Sequence, residues 1–285
     1  MMETEKEKLM PLDDVHTALL YILKYINEIS EKENIPYFSH GGTTLGAVRH
    51  KGFIPWDDDI DLIMERKYYE PFVKACEIYL PDLLTVRTRE NDPYFCEEYI
   101  KVCFKDDVCR FSDLAVDIFL LDETNPDRKL FRWFQNRIIR EVRPIKLYKA
   151  TRKAQYMEKY VPHNKGKRLY LACMSILPLR FLTNIQTRAM LAEKKPTDWL
   201  VDWGSISGYK RATWNKTFFQ DRVKLDFENM YVYASVVYPD ILIRGYGENY
   251  MQLPPPEKRK THAVHAINND KFDIDQIRAA VRSVE

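Results

Sequence analysis

Four aspartates, Asp57, Asp58, Asp59 and Asp61, fall within five consecutive positions of the stretch HGGTTLGAVRHKGFIPWDDDID that runs from His40 to Asp61. Carboxylates at that density repel one another unless cations compensate them. On a strand, residues two apart project from one face, so Asp59 and Asp61 can converge while Ile60 enters the core. Two convergent carboxylates suit Mg²⁺, which takes hard oxygen ligands and completes its octahedron with water and substrate phosphate. Upstream, Gly41, Gly42 and Thr43 lie at an expected strand-to-helix turn, where bare backbone and helix N–H groups can approach a phosphate. Arg49, His50 and Lys51 follow closely enough to touch the same phosphate, although an isolated triplet of that kind is more often surface charge. The aspartates do not follow the DxDxDG order of a calcium-binding EF-hand loop. A Gly-Gly turn followed by Asp-x-Asp points to phosphoryl chemistry.

These side chains need elements to hold them. Val15, Leu19, Ile22, Ile26 and Ile29 repeat with helical spacing, so residues 14–32 are expected as an amphipathic helix capped by Asp13 or Asp14. Tyr37 to His40 reads as a short strand ended by the Gly41-Gly42 turn, with a short helix following through Leu45, Ala47 and Val48. Asp59 to Met64 reads as a strand and Tyr68 to Tyr79 as a helix. Leu83 to Thr88, Tyr94 to Phe104 and Leu114 to Leu121, rich in β-branched and aromatic residues, read as further strands. Beyond Asn125-Pro126, Leu130, Phe134, Ile138 and Val142 recur every fourth position, and helices are expected to run on to Lys195. The fold class is therefore mixed α/β (α+β). Three regions are expected: a catalytic core over 1–125, a basic helical region over 126–198, and a C-terminal region over 199–285 that completes the site.

Composition narrows the class of molecule. The chain has 285 residues, 45% hydrophobic and 30% charged, with 9 Gly and 15 Pro, which excludes disordered and collagen-like chains. The longest apolar run, Leu169 to Leu182, is broken by Pro178 and Arg180 and falls short of a membrane span. MMETEKEKLM lacks the apolar segment of a secretory signal, so a cytoplasmic location is expected. Cys76, Cys96, Cys103, Cys109 and Cys173 are odd in number and form no CxxC pair, which suits reduced thiols and no zinc site. The net charge of +2 conceals a basic block, Arg128 to Arg168, with fourteen Lys and Arg against Glu141 and Glu158. Such a block can attract phosphates, an anionic membrane or nucleic acid, or simply be a solvated face. A nucleic-acid-binding protein would not need the Asp pair, so no nucleic-acid partner is expected.

HGGTTLGAVRHKGFIPWDDDIDLIM resembles the central motif of the LicD family, whose members include bacterial phosphocholine transferases, fukutin and fukutin-related protein. Two further segments carry the resemblance: LAVDIFLLD at 114–122 is similar to the family's VDIFPLD, and YGENYMQLPPPEKRKTH at 246–262 to its YGxxYMxLPPxxxRxxH ending. The chain departs from the pattern at Leu120, where proline is usual, and in the YVYAS segment, which lacks a proline common in relatives. The resemblance implies a nucleotidyltransferase-like core with a small mixed sheet, in which Asp59, Asp61 and Asp117 hold one or two Mg²⁺ ions, with Mn²⁺ as a substitute. It implies attack by a sugar hydroxyl on the phosphorus of a CDP-alcohol, CDP-choline above all, with CMP leaving and Asp117 as candidate general base. The acceptor is expected to be a cell-surface glycan such as teichoic acid or capsule polysaccharide, or its lipid-linked precursor. Peripheral contact with the inner face of the membrane would then run through residues 128–168. Asp57, Lys101, Arg259 and His262 join the expected phosphate and substrate contacts. Choline's ammonium needs an aromatic face, for which Trp56, Trp199, Trp203 and Trp214 are available. Glycerol, ribitol or ethanolamine phosphate would satisfy the same metal chemistry, and transfer of the nucleotide itself to a sugar or small molecule is the alternative reaction.

Overall fold

The computed structural model describes residues 10–92, 94–106, 108, 114–151, 162–205, 208–259, 261 and 272–282. It is a mixed α/β structure whose chain divides into two compact units, one of Met1–Val86, Lys101–Ile118 and Phe218–Glu285, the other of Arg87–Ile100 and Phe119–Thr217.

The first unit opens with α1 (Leu12–Lys32), in which Val15, Leu19, Ile22, Ile26 and Ile29 are all buried, as their spacing requires. Its start differs from the expected Asp cap. Pro11 stands at the cap position, its carbonyl accepting from the Asp14 and Val15 N–H groups, while Asp13 and Asp14 lie in the first turn and favour the positive end of the helix dipole. A two-residue strand β1 (Phe38–Ser39) leads directly into α2 (Gly41–His50). Gly41 and Gly42 are thus the first residues of the helix rather than a turn before it, and Gly41 has φ of +52°, a conformation open to glycine. Strand β2 (Ile60–Glu65) pairs antiparallel with β1, Phe38 opposite Ile63 and Ser39 opposite Leu62.

After β2 come α3 (Tyr69–Tyr79), β3 (Leu84–Arg87), β4 (Ile100–Phe104) and β5 (Ala115–Glu123). The sheet order is β1-β2-β5-β4-β3, which sets β5 beside β2 and β4 beside β5. The strand expected over Tyr94–Phe104 is shorter, because Tyr94 to Tyr99 form a turn and an irregular stretch outside the strand. Side-chain oxygens capture the backbone there: Tyr94 N–H donates to Asp92 Oδ1 at 2.8 Å and Thr88 N–H to Asn91 Oδ1 at 2.8 Å.

The second unit contains α4 (Lys129–Thr151), α5 (Lys165–Met174), α6 (Leu179–Met190), β6 (Trp199–Asp202) and β7 (Thr213–Asn215). Strand β6 pairs antiparallel with the end of β5, Asp122 opposite Val201, and β7 with β6. Helix α4 forms as its periodicity predicts, but it buries a different face. Ile139, Val142, Ile145 and Tyr148 go inward, whereas Leu130, Phe134 and Ile138 are exposed. The reason is polar: Gln135 donates to the Ala189 carbonyl at 2.8 Å, and Lys146, fully buried, meets Glu98 at 2.9 Å and Gln186 at 2.8 Å. These partners hold that side of α4 inward.

The chain returns to the first unit as a hairpin of β8 (Arg222–Phe227) and β9 (Met230–Ser235), followed by α7 (Tyr238–Tyr246) and α8 (Ile274–Arg282). At the hairpin tip Glu228, with φ of +55°, ties down the loop after α2. Its N–H donates to the Lys51 carbonyl at 2.7 Å and its carboxylate accepts from Phe53 N–H at 3.0 Å. Cys76, Cys96, Cys103 and Cys173 are free thiols, and Cys109 lies outside the described residues.

Candidate active site

The junction of β1, α2 and β2 fixes the central carboxylate. His40 N–H donates to the Asp61 carbonyl at 2.9 Å, and Asp61 N–H donates to Thr43 Oγ1 at 2.8 Å. Asp61 is therefore locked at its backbone on both sides, and Thr43, expected at a phosphate-binding turn, uses its hydroxyl to position Asp61. The Thr44 hydroxyl donates to Ser39 Oγ at 2.9 Å, a second stitch across the same junction. The imidazole of His40 is held neutral by burial, its pKa pushed down to about 4.

A loop then brings the acidic run to the start of α2. Asp57 N–H donates to the Ile54 carbonyl at 2.8 Å, and His16 Nε2 donates to the Asp57 carbonyl at 2.7 Å. His16 stacks on Phe53 with ring centroids 3.9 Å apart. Carboxylate oxygens of Asp57, Asp58 and Asp59 all lie within 4.8 Å of one another. A β-carbon on Gly42 would sit 2.7 Å from Asp57 Oδ2, and one on Gly41 would sit 3.7 Å from Asp61 Oδ2. A side chain at 42 would displace the Asp57 carboxylate, which glycine leaves in place.

Burial and the nearby carboxylates of Asp59, Asp117 and Asp57, in that order, push the Asp61 carboxyl up to about 8, against a smaller opposing pull from Lys101. Asp59, Asp117 and Asp57 thus lie near enough to Asp61 to act on its charge, while the carboxylates grouped within 4.8 Å of one another are those of Asp57, Asp58 and Asp59. Lys101 Nζ, on β4, lies 3.2 Å from Asp117 Oδ1, on β5, so this lysine engages a carboxylate of the cluster. An all-carboxylate set of hard oxygens with excess negative charge fits a divalent cation of the Mg²⁺ or Mn²⁺ type and lacks the nitrogen and sulfur donors that zinc prefers.

Basic and aromatic groups stand beside it. Arg49 donates to the carbonyls of Tyr250 at 3.1 Å and Gln252 at 3.3 Å and through Nε to His50 Nε2 at 2.9 Å. Burial and the Arg49 charge hold the His50 pKa below its usual value. The Arg259 guanidinium lies 5.2 Å from the centre of the Trp56 ring, which also meets His50 in edge contact, and Arg259 Nε donates to the Pro254 carbonyl at 2.9 Å. Lys51 is turned toward the hairpin, paired with Asp226 at 3.2 Å on the surface. His262 lies outside the described residues.

Tyr246, assigned no role from the sequence, reaches the cluster. Its hydroxyl would be 3.8 Å from a β-carbon on Gly41, and burial together with Asp57, Asp61 and Asp59 pushes its pKa up to about 12. Leu242, packed with Leu45 and Ile54, seats α7 so that Tyr246 arrives there. His16 was equally unforeseen. Of the other tryptophans, Trp203 and Trp214 are buried in the second unit and Trp199 is partly exposed there.

Residues 34–163 match the family model described as LicD/FKTN/FKRP, nucleotidyltransferase domain. The chain is 30% identical over 272 residues to the lipopolysaccharide cholinephosphotransferase LicD of Haemophilus influenzae, covering 90% of this chain and 97% of that protein. It also matches the human ribitol 5-phosphate transferase FKRP, 42% identical over 45 residues, 16% of this chain and 9% of that one. An uncharacterised protein of Rickettsia prowazekii is 49% identical over 45 residues, covering 16% of this chain and 17% of that one. The class is that of transferases acting on phosphate-containing groups. Within it, the chain belongs to the LicD family.

Proposed function

We propose that the protein transfers phosphocholine from CDP-choline to a sugar hydroxyl of a cell-surface glycan or its lipid-linked precursor, in a Mg²⁺-dependent reaction that releases CMP. The observation that carries this reading is the placement of the Asp57 and Asp61 carboxylates at the glycine-led start of α2, with Asp59 and Asp117 near enough to raise the Asp61 carboxyl. The similarity to a cholinephosphotransferase over 90% of the chain supports the choice of alcohol.

In this reaction the acceptor oxygen forms a bond to the phosphorus of the phosphocholine group, the bond from that phosphorus to CMP breaks, and the acceptor proton passes to a base. Asp117 is the candidate base, with Lys101 beside it to stabilise its charged form. Bound Mg²⁺ supplies charge neutralisation for the diphosphate and the departing CMP, with Asp59, Asp61 and Asp117 as its ligands. The bare backbone of Gly41 and Gly42 admits a phosphate close to those carboxylates, and Arg49 and Arg259 offer positive charge to it. Trp56 belongs to the unit that holds the cluster, and the Arg259 guanidinium over its ring supports a role for that ring in attracting a cation such as choline's ammonium.

Asp59→Asn and Asp61→Asn should each lower turnover by on the order of a thousandfold while circular dichroism stays unchanged; full activity in both variants refutes the metal assignment. Donor identity is tested by incubating the protein with Mg²⁺ and CDP-choline, CDP-glycerol, CDP-ribitol or CDP-ethanolamine, with and without glycan, and following CMP. Release from CDP-choline is expected. Release from CDP-ribitol alone would favour a second reading, ribitol phosphate transfer, which the match to a ribitol 5-phosphate transferase supports. Consumption of CTP with pyrophosphate release would replace both readings with nucleotidyl transfer.

A further inference from the structure

Helices α4, α5 and α6 close a small core of Val142, Ile145, Tyr148, Leu171 and Leu182, so each commits one face to packing. The opposite face of α4 is not polar. Leu130, Trp133, Phe134 and Ile138 are 70, 51, 53 and 40% exposed, and their spacing of three and four residues lines them up as one stripe along the helix, with Arg137 between them. Trp133 and Phe134 touch edge to face with ring centroids 4.9 Å apart, forming an aromatic pair on the surface. Leu169 and Tyr170 on α5, Ile176 after it and Phe181 on α6 are exposed as well. Scattered apolar residues on a surface are ordinary, but a continuous stripe marks a face that something covers.

Charge indicates what covers it. Residues 128–151 and 162–190 carry thirteen Lys and Arg and a single carboxylate, Glu141. Arg132 and Lys146 are buried, and Arg128, Arg137 and Arg143 pair with Glu193, Glu141 and Glu97. Lys129, Arg140, Lys165, Lys167, Arg168, Arg180 and Arg188 are exposed. A second copy of the chain would bring like charges together around the stripe. A nucleic acid would use the cations and stack on the two aromatic rings, but would leave the aliphatic Leu130 and Ile138 in water. An anionic bilayer surface uses both: tryptophan and phenylalanine settle at headgroup depth while long cationic side chains reach the lipid phosphates.

We propose that the outer face of α4, with the basic outer turns of α5 and α6, docks the protein on an anionic phospholipid bilayer, Trp133 and Phe134 entering the headgroup layer. No helix among the described residues is long and apolar enough to cross a membrane, so α4 lies along the surface. This docking stands apart from the donor chemistry, and its failure would leave that reading untouched.

The test is cosedimentation of the full chain with vesicles of phosphatidylcholine alone or mixed with phosphatidylglycerol, at low and high salt. Binding to the mixed vesicles, weakened by salt and near absent on neutral ones, is expected. Trp133→Ser with Phe134→Ser, both exposed and so compatible with folding, should weaken that binding about tenfold or more. Lys129→Gln with Arg140→Gln should weaken it less. Quenching of tryptophan fluorescence by brominated lipid should be lost in Trp133→Phe. The proposal is overturned if the wild type ignores anionic vesicles, if the double aromatic variant binds like wild type, or if sedimentation shows a dimer that the same variant dissolves.

Discussion

Asp61 concentrates the electrostatic problem of the site, since burial and three neighbouring carboxylates raise its carboxyl to about 8. A group so raised binds its proton in the folded state at pH values where the unfolded chain has already released it. Folding of the metal-free protein therefore loses stability as pH rises from the ordinary carboxylate range toward 8, and a cation that takes the place of the proton restores it. Two measurements follow at this scale. The melting temperature without metal should fall across that window, with added Mg²⁺ opposing the fall. Calorimetric titration with Mg²⁺ in buffers of differing ionisation enthalpy should show release of about one proton per molecule near neutral pH, fading above pH 8. A flat response in both would mean that the carboxylates do not share their charge as the geometry requires.

Elements set the distances. The loop from α2 to β2 brings Asp57 against Gly42, where a β-carbon would stand 2.7 Å from Oδ2, while His16 and Ile54 hold the Asp57 backbone in place. Gly42→Ala should then displace the Asp57 carboxylate, weakening Mg²⁺ binding and turnover about tenfold or more with little change in melting temperature. Unchanged Mg²⁺ affinity would show that Asp57 yields freely. In the second unit Glu98 meets Lys146 at 2.9 Å and Arg89 at 2.7 Å, with Lys146 fully buried. Lys146→Ala should cost about 3 kcal/mol in denaturant unfolding, and Lys146→Met combined with Glu98→Gln distinctly less, because it removes both charges together.

At the scale of the whole molecule, the unit that holds the carboxylates is assembled from three separate stretches of chain. Tyr37, buried against α1, donates to Asn27 and packs edge to face on Tyr233 of β9, and Phe38 packs on Phe219. A fragment of residues 1–125 lacks β8, β9, α7 and α8, so it should show neither cooperative unfolding nor dispersed amide resonances, and added Mg²⁺ should not rescue it. A well-folded fragment would show that the returning segments are dispensable for the core.

The sequence by itself determined what depends on neighbours along the chain. The helix of α1 follows from five apolar residues at helical spacing, and the β1–α2–β2 order from a short aromatic run, two glycines and an acid-to-apolar alternation; the strand expected from Asp59 begins at Ile60, so Asp59 stands just before it rather than paired with Asp61 on its face. Asp117 became visible only through resemblance, since a lone aspartate on a strand has no local signature. Tertiary structure decided the rest. Which face of α4 is buried depends on Glu98, Gln186 and Ala189, 40 to 54 residues away along the chain or at similar remove, so its periodicity could announce a helix without naming its inner side. Tyr246 comes to the carboxylates and His16 to the Asp57 backbone across long separations, through packing of α7 on α2 and of α1 on the loop. Spacing encodes geometry only within one element; between elements the encounter is set by burial and by the hydrogen bonds that burial makes obligatory.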